Sequence, residues 1–415
     1  MMYGLIGEKL GHSYSKIIHE KLSTFEYQLQ ELQKQELPQC LTQKNFLGIN
    51  VTIPYKEMVI PYLDEIDEKA KRIGSVNTVI HKDGKLCGYN TDYDGFLYML
   101  QKHHVSVTDS KVLILGSGGT SKTASCVMKD LSAREIIIAS RTASSNTISY
   151  QELSNHHDVD IIVNTTPLGM YPLIEAQAID LSLFANCHTV IDVIYNPFQT
   201  RLLQQANELE KKVIGGLEML IAQAVYANEK FHSTKHDPHI IDTLYHSIKK
   251  DLLNIVLIGM PGSGKSSIAK QLSSLLGKTL IDTDEVVVST YQQSIKEMFE
   301  EHGELYFREK ECEVVALFAG KNNQIISTGG GVILSKRNMQ NLRSNGIVIF
   351  IERDVNELSI DANRPLSTCL SDNELLYRKR YPYYKQYSDI AIKNDQGIDQ
   401  VVTKIKEYYD EITSD

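Results

Sequence analysis

Gly259-Met-Pro-Gly-Ser-Gly264-Lys265-Ser266 lies between an apolar, β-branched run, Ile255–Ile258, and a helix-forming stretch, Ile268–Leu276. A G-x-x-x-x-G-K-S turn in that setting constrains this chain more than any other feature. Strand, tight glycine turn and helix in that order build a unit whose turn wraps phosphate oxygens with backbone N–H groups. The positive end of the following helix reinforces the grip. Gly262, Ser263, Gly264, Lys265, Ser266 and Ser267 are therefore candidate contacts to a nucleoside triphosphate, ATP being the common one. Lys265 would reach the β- and γ-phosphates and Ser266 would hold Mg²⁺.

Short apolar runs recur at helix-length spacing on both sides of residue 250. Val112–Leu115, Ile136–Ala139, Ile161–Val163 and Val190–Val193 form one series; Ile255–Ile258, Leu280–Ile281, Ile325–Ile326 and Ile347–Ile351 form another. Buried strands alternating with helices imply parallel sheets and an α/β fold. The first hundred residues differ: Tyr3–Gly7, Tyr27–Leu32 and Leu47–Ile53 read as strands, followed by a hairpin across Asp83-Gly84. The polar, His-rich stretch 232–254 reads as a helix end and a connection. A chain of 415 residues is too long for one typical domain.

Charge narrows the partners. Lys+Arg number 43 against Asp+Glu 52, for a net charge of −9, and acidic residues exceed basic ones on both sides of residue 250. Nucleic acid is disfavoured as a bulk electrostatic partner, and the basic, aromatic RKRYPYYK (378–385) is only a brief patch in an acidic half. No apolar run approaches the roughly 18 residues a membrane span needs. MMYGLIGEKLGHS lacks a basic region ahead of an apolar core, and the six cysteines (40, 87, 126, 187, 312, 369) form no C-x-x-C pair. A cytoplasmic protein with free thiols, acting on small molecules, is expected. His232, His236 and His239 have ligand-like spacing, but Pro238 interrupts them and no carboxylate completes the set, so a solvated connection is expected. Nothing in the chain fixes an oligomeric state.

In the second half, Asp282-Thr-Asp284 follows a strand, where carboxylates can reach a metal and an acceptor hydroxyl. Arg308 sits in GELYFREKE, Gly329-Gly330-Gly331 follows the strand Ile325–Ser327, Arg364-Pro365-Leu366 lies in a polar stretch, and Arg380 begins RYPYY. Singly these are ordinary loop and surface residues. In this order residues 252–415 resemble a shikimate kinase. The resemblance implies that Asp282 assists Mg²⁺ and that Asp284 binds the acceptor hydroxyls as the base. It also implies that Arg308 and Arg380 clamp the carboxylate of shikimate beside Gly329, Gly330 and Gly331, and that Arg364 closes over the transferring phosphoryl group. Two planar guanidiniums suit a carboxylated acceptor. One departure is the stretch from Glu352 to Asn363, which is short and carries only Arg353 as a cation.

In the first half, Gly116-Ser117-Gly118-Gly119-Thr120 closes a strand and opens the helix-forming Lys122–Leu131, a turn suited to a pyrophosphate. The next strand ends Ala139-Ser140-Arg141-Thr142. An acidic residue there would select NAD, whereas an arginine suits a 2′-phosphate and favours NADP. Lys56, in NVTIPYK (50–56), and Asp92, in GYNTD (88–92), are a reasonable acid–base pair for carbonyl reduction. With GHSYS (11–15), IGSVNTV (73–79), NTTPLGM (164–170), DVIYNP (192–197) and GLEMLIAQA (216–224), residues 1–245 resemble shikimate dehydrogenases from end to end. The resemblance implies that Lys56 and Asp92 are catalytic and that Ser13, Ser15, Thr52, Asn77, Asp92, Tyr195 and Gln223 hold the substrate. It implies an NADP site of Gly116, Ser117, Gly118, Gly119, Ser140, Arg141, Thr142, Thr165, Met170 and Gly216. Ser140 and Gly215 stand where the family more often has Asn and an acidic residue.

The architecture expected is a dehydrogenase substrate domain at 1–101 and 216–245, a Rossmann NADP domain at 102–215, a linker at 246–251 and a P-loop kinase domain at 252–415. The function implied is bifunctional: NADPH-dependent reduction of 3-dehydroshikimate, then MgATP-dependent phosphorylation of shikimate. Two alternatives stay open: a reductase that prefers quinate or accepts both cyclic acids, or one half retained as a non-catalytic metabolite-binding module.

Overall fold

The computed structural model describes residues 2–11, 13–359 and 370–414. Two compact units divide the chain: Met1–Met170 with Ala176–Tyr245, and Tyr171–Glu175 with His246–Asp415.

The first unit contains two six-stranded sheets. One runs in the order Tyr27–Glu31, Met2–Gly7, Phe46–Val51, Thr78–Lys82, Lys85–Tyr89, Glu65–Ile66. Its first three strands are parallel, and Phe46–Val51 then pairs antiparallel with Thr78–Lys82, setting Asn50 opposite Thr78. The hairpin turns at Asp83 and Gly84, both at positive φ (52° and 78°), as a right-twisted two-residue turn requires. The other sheet is wholly parallel, in the order Lys212–Ile214, Thr189–Asp192, Ile161–Asn164, Lys111–Leu115, Glu135–Ser140, Ile148–Ser149.

The helix Leu217–His232 returns to the N-terminal part of the unit, where it packs on the helix Thr91–Lys102. Gly95 makes this contact possible: a Cβ there would lie 2.7 Å from the Met219 carbonyl oxygen and 2.9 Å from the Gln223 nitrogen. Gln223 thereby comes to the same neighbourhood as Asn77, which is 146 residues earlier in the chain.

The second unit holds a five-stranded parallel sheet in the order Thr279–Asp282, Gln324–Ser327, Asn254–Ile258, Gly346–Glu352, Ile390–Lys393. Its central strand is fully buried and ends at the glycine turn, beside a neighbour on each side, which is where such sheets open a crevice. The stretch 246–251, read as a linker, is helical, within Ile240–Leu252. The Lys278 ammonium donates to the carbonyls of Lys250 (3.1 Å), Asp251 (3.2 Å) and Leu253 (3.0 Å), satisfying acceptors at the helix's negative end. Burial pushes Lys278 down to about 8. Among the described residues, no helix is long and apolar enough to cross a membrane.

Candidate active sites

The first site forms where strand ends and helix starts of the first unit converge. Pro54 ends the ladder after Phe46–Val51, and two residues later Lys56 turns inward. Asp92 stands in the first turn of Thr91–Lys102, whose Asn90 cap accepts the Tyr93 N–H at 3.1 Å. The Lys56 ammonium donates to Asp92 Oδ2 at 2.6 Å, and only 14% and 9% of the two side chains are exposed. Shielding from water strengthens the Coulomb attraction within the pair, which offsets the cost of desolvating the two charges. Asn77 Nδ2 donates to Asp92 Oδ1 at 2.8 Å and to Gln223 Oε1 at 3.4 Å.

These four groups form one connected cluster. Ser13 and Ser15 sit at the start of the helix Ser15–Leu22, where the Ser15 N–H donates to Ser13 Oγ at 3.3 Å. Thr52 follows directly on its strand, half-buried. Tyr195 packs against Tyr14, with ring centroids 5.1 Å apart, and burial pushes its phenol up to about 12.

The glycine turn adjoins this cluster. Gly116 has φ 103°, a conformation a side chain disfavours, and a Cβ there would lie 2.9 Å from Thr165 Oγ1, so glycine lets the turn pack against the neighbouring strand end, while nothing lies within 4 Å of a Cβ on Gly118. Gly118 caps the helix Gly119–Asp130, and Ser117 beside it is exposed. A Cβ on Gly119 would sit 3.6 Å from Lys56 Cδ, so the turn and the acid–base pair are neighbours. The Thr165 hydroxyl donates to the Leu115 carbonyl at 2.7 Å, joining the ends of adjacent strands. Gly216 caps Leu217–His232 in close contact with the Val193 carbonyl, and Met170 is exposed.

Ser140 is buried and its hydroxyl donates to the Thr142 carbonyl, so it is turned into the fold while Arg141 is exposed. The bare glycine turn, the capped helix and the exposed guanidinium fit a dinucleotide bearing a 2′-phosphate.

Asp192 was not singled out from the sequence. It is fully buried and is held by Asn164 Nδ2 (3.0 Å), the Ile194 N–H (3.0 Å) and Thr200 Oγ1 (2.7 Å). Burial pushes its carboxyl up to about 6 despite these donors. It ties the NTTPLGM and DVIYNP segments together.

The second site is a cavity of about 1190 Å³ at the sheet edge of the second unit. Gly262, Gly264, Lys265, Ser266, Ser267, Asp282, Asp284, Arg308, Gly329, Gly330, Gly331 and Arg380 all line it. Ser263 is buried behind the turn, and its carbonyl accepts from Asn394 Nδ2 at 2.9 Å. Gly262 and Gly264 have φ 80° and 98°, conformations a side chain disfavours.

Lys265 Nζ donates to the Gly259 and Met260 carbonyls at 3.0 and 2.9 Å, which folds its ammonium back over the turn. The Ser266 hydroxyl donates to Asp282 Oδ2 at 2.8 Å, placing two hard oxygen donors together at the turn. That donor chemistry fits Mg²⁺, which takes few protein ligands and keeps several waters. Asp282 also caps the helix Thr283–Tyr291 through the Asp284 N–H at 3.1 Å.

The triple glycine lets three elements converge. A Cβ on Gly329 would lie 2.5 Å from Asp284 Oδ1, one on Gly330 2.6 Å from Pro261 Cδ, and one on Gly331 would overlap the Arg308 guanidinium. Tyr384 donates to the Gly330 carbonyl at 2.6 Å. Arg380, one helical turn before it, is buried. The helix Ile295–Ala319 breaks at Gly303 (φ 82°), so Arg308 belongs to its second part.

Arg308 Nη1 donates to both oxygens of Glu311 at 3.0 Å, and its Nε reaches Glu304 Oε1 at 3.2 Å. Glu311 is fully buried; burial pushes it up to about 7, opposed by the Arg308 charge. Glu311 ends the GELYFREKE segment, in which only Arg308 was assigned a role. Its spacing three residues after Arg308 on a helix signalled that the two could pair, but not that Glu311 is buried. Arg364 lies outside the described residues.

Residues 5–79 match the family model for the shikimate dehydrogenase substrate binding domain, and residues 261–410 match that for shikimate kinase. A shikimate dehydrogenase (NADP(+)) from Clostridium beijerinckii is 39% identical over 260 residues, covering 59% of this chain and 96% of its own. The crystal structure of shikimate dehydrogenase 1 from Peptoclostridium difficile is 36% identical with a TM-score of 0.57, over 60% of this chain and 97% of its own. A chorismate mutase/shikimate 5-dehydrogenase fusion protein from Clostridium acetobutylicum is 38% identical, also with a TM-score of 0.57, over 60% and 97%.

Proposed function

We propose, for a chain that belongs to the shikimate dehydrogenase family through its first half and carries a shikimate kinase domain in its second, that it performs two consecutive reactions. The first reduces 3-dehydroshikimate to shikimate; the second phosphorylates the 3-hydroxyl of shikimate. The protein acts in the cytoplasm on small molecules, with its substrate domain at 1–101 and 216–245 and its NADP domain at 102–215.

NADPH supplies the hydride and MgATP the phosphoryl group. In the first site the Lys56 ammonium gives a proton to the ketone oxygen as the carbon accepts hydride. A C–H and an O–H bond form while the C=O π bond, a C–H bond of the hydride donor and an N–H bond of Lys56 are lost. Asp92 holds that ammonium in place and stabilises its charge, while Asn77, Gln223, Ser13, Ser15, Thr52 and Tyr195 orient the ring. Gly116 to Gly119 bind pyrophosphate, Arg141 and Thr142 take the 2′-phosphate, and Thr165, Met170 and Gly216 flank the nicotinamide.

In the second site Asp284 takes the proton of the attacking hydroxyl. Arg308 and Arg380 bind the ring carboxylate in the forked manner guanidinium favours. Lys265 and Arg364 offset charge on the transferring group, and Ser266 and Asp282 hold the metal.

One observation carries this reading: each half sets its own phosphate-binding glycine turn beside its own acid–base group. Gly119 adjoins Lys56, and the P-loop cavity includes Asp284. The intact pairing of Lys56 with Asp92 at 2.6 Å also disfavours a half kept only to sense a metabolite. The test is a coupled assay on the purified full chain, given 3-dehydroshikimate, NADPH and MgATP. NADPH loss followed by ADP formation is expected; oxidation of NADPH without ADP, or neither, overturns the bifunctional reading.

A further inference from the structure

A buried chain of polar side chains runs from the edge of the first sheet to Asp92, and of these groups the reaction as described uses only Asn77 and Asp92. Tyr27 (0% exposed), Asn50 (4%), Thr78 (0%), Asn77 (2%) and Thr91 (1%) are its links. The antiparallel register that sets Asn50 opposite Thr78 aligns the middle of it.

The direction of each link follows from groups that have only one hydrogen-bonding role. The Thr91 backbone N–H can only donate, and it meets Asn77 Oδ1 at 2.7 Å, so the Asn77 amide nitrogen must face Asp92 Oδ1 at 2.8 Å. The Asn77 backbone carbonyl can only accept, and it lies 3.4 Å from Asn50 Nδ2. That amide is thereby fixed as the donor to Thr78 Oγ1 at 3.1 Å. Asn50 Oδ1 then accepts the Tyr27 hydroxyl at 2.7 Å. Asn77 Oδ1 can only accept, so the Thr78 hydroxyl, which accepts from Asn50, donates its proton to Asn77 Oδ1 at 3.1 Å, with Thr91 Oγ1 also 3.1 Å away.

The side-chain donors of Tyr27, Asn50, Thr78 and Asn77 therefore run toward Asp92, while the Thr91 N–H donates back to Asn77 Oδ1 and fixes that amide from the other side. Chains aligned in this way polarise one another, and in a dry interior a half-satisfied member is costly, so each amide is held in one orientation. Tyr27 is itself clamped: its ring stacks on the fully buried His19 at 4.2 Å between centroids, with an interplanar angle of 5°.

We propose that Thr78 and Tyr27 are positioning residues of the reductase. Neither touches substrate; they act by locking Asn50 and Asn77 so that the Asn77 amide meets Asp92 Oδ1 while Lys56 holds Oδ2. This rests on reading Lys56 and Asp92 as the catalytic pair. A small displacement of a reacting group costs rate more than binding, so the signature is a loss in kcat with little change in KM.

The experiment uses the full chain and shikimate oxidation with NADP⁺. Thr78→Val removes the hydroxyl and keeps the shape. We expect kcat to fall by about tenfold, with KM for NADP⁺ within about twofold of the parent. Thr78→Ser should restore most of the rate, which a purely space-filling role would not require. Tyr27→Phe deletes only the terminal hydroxyl and should lower kcat by about threefold. Should Thr78→Val fail to fold by thermal unfolding, Tyr27→Phe and Thr78→Ser decide the matter. Unchanged kcat in Tyr27→Phe, or a Thr78→Ser enzyme as slow as a folded Thr78→Val, overturns the proposal. Lys56→Ala and Asp92→Asn serve as references. If those two retain full rate, the catalytic pair itself is wrong and the proposal falls with it; if they lose it while Thr78→Val does not, only the positioning chain is wrong.

Discussion

The two halves reach comparable chemistry by different constructions. In the kinase half the site is a row of loops along one edge of a parallel sheet. The P-loop follows directly on a strand, Asp282 is the last residue of another, and the triple glycine begins two residues after a third. Each loop is a contiguous motif, and sheet topology alone makes them neighbours. In the dehydrogenase half the decisive groups come singly from four separated places, Lys56, Asn77, Asp92 and Gln223, and meet through a connected set of buried hydrogen bonds. In a row of loops the effect of a change stays with the motif that carries it, whereas a converging network depends on the packing of every element that supplies it. The difference predicts where each half is fragile.

The largest expected effect separates the halves outright. Lys56→Ala should lower NADPH oxidation by about 10²-fold or more and leave ADP formation from shikimate intact. Lys265→Ala should do the reverse. If either single change silenced both activities, the two sites would not be independent. Gly331→Ala comes next. Its Cβ would overlap the Arg308 guanidinium, so shikimate phosphorylation should fall by about tenfold to 10²-fold with reductase activity unchanged. In the converging site the matching probe is Gly95→Ala, which must push Met219 and Gln223 away from the helix Thr91–Lys102. We expect it to destabilise the first unit by about 1–3 kcal/mol in denaturant melts and to weaken shikimate binding. Arg141→Ala should raise KM for NADPH by about tenfold with kcat nearly unchanged, as measured by initial rates.

The smallest effect concerns pH, and both halves share its sign. Burial raises Asp192 to about 6 in the first unit and Glu311 to about 7 in the second. A carboxyl whose folded value is raised binds its proton more tightly in the native state, so its share of stability falls as pH rises from the ordinary carboxylate range through the raised value. Asp192→Asn should flatten that decline up to about pH 6, and Glu311→Gln up to about pH 7, in urea melts followed from pH 4 to 8. A slope unaltered by either change would show that other groups set it.

Much of the kinase site could be read from the chain because its motifs are local. G-x-x-x-x-G-K-S already specifies a strand, a bare turn and a helix start, and the positive φ of Gly262 and Gly264 follows from that pattern. What escaped was Glu311: its burial behind Arg308 depends on the triple glycine coming close to the helix Ile295–Ala319, which no spacing along the chain reveals. In the dehydrogenase half the residue types of the pair were readable, but Asp192 was not, because a carboxylate at a strand end is normally a solvated group. The connection at 246–251 became helix because Lys278, 25 residues or more from the carbonyls it caps, satisfies that helix's last turn.

By itself the chain determined its class, its strand-and-turn order and the chemical types at each site, because periodicity and glycine placement act over a few residues at a time. Only the tertiary structure decided which lone side chains meet. The register of Asn50 against Thr78, the approach of Gly95 to Met219 and the contact of Gly331 with Arg308 each join positions far apart in sequence. Such contacts are selected by the packing of whole elements, where one added methyl group is enough to move a guanidinium.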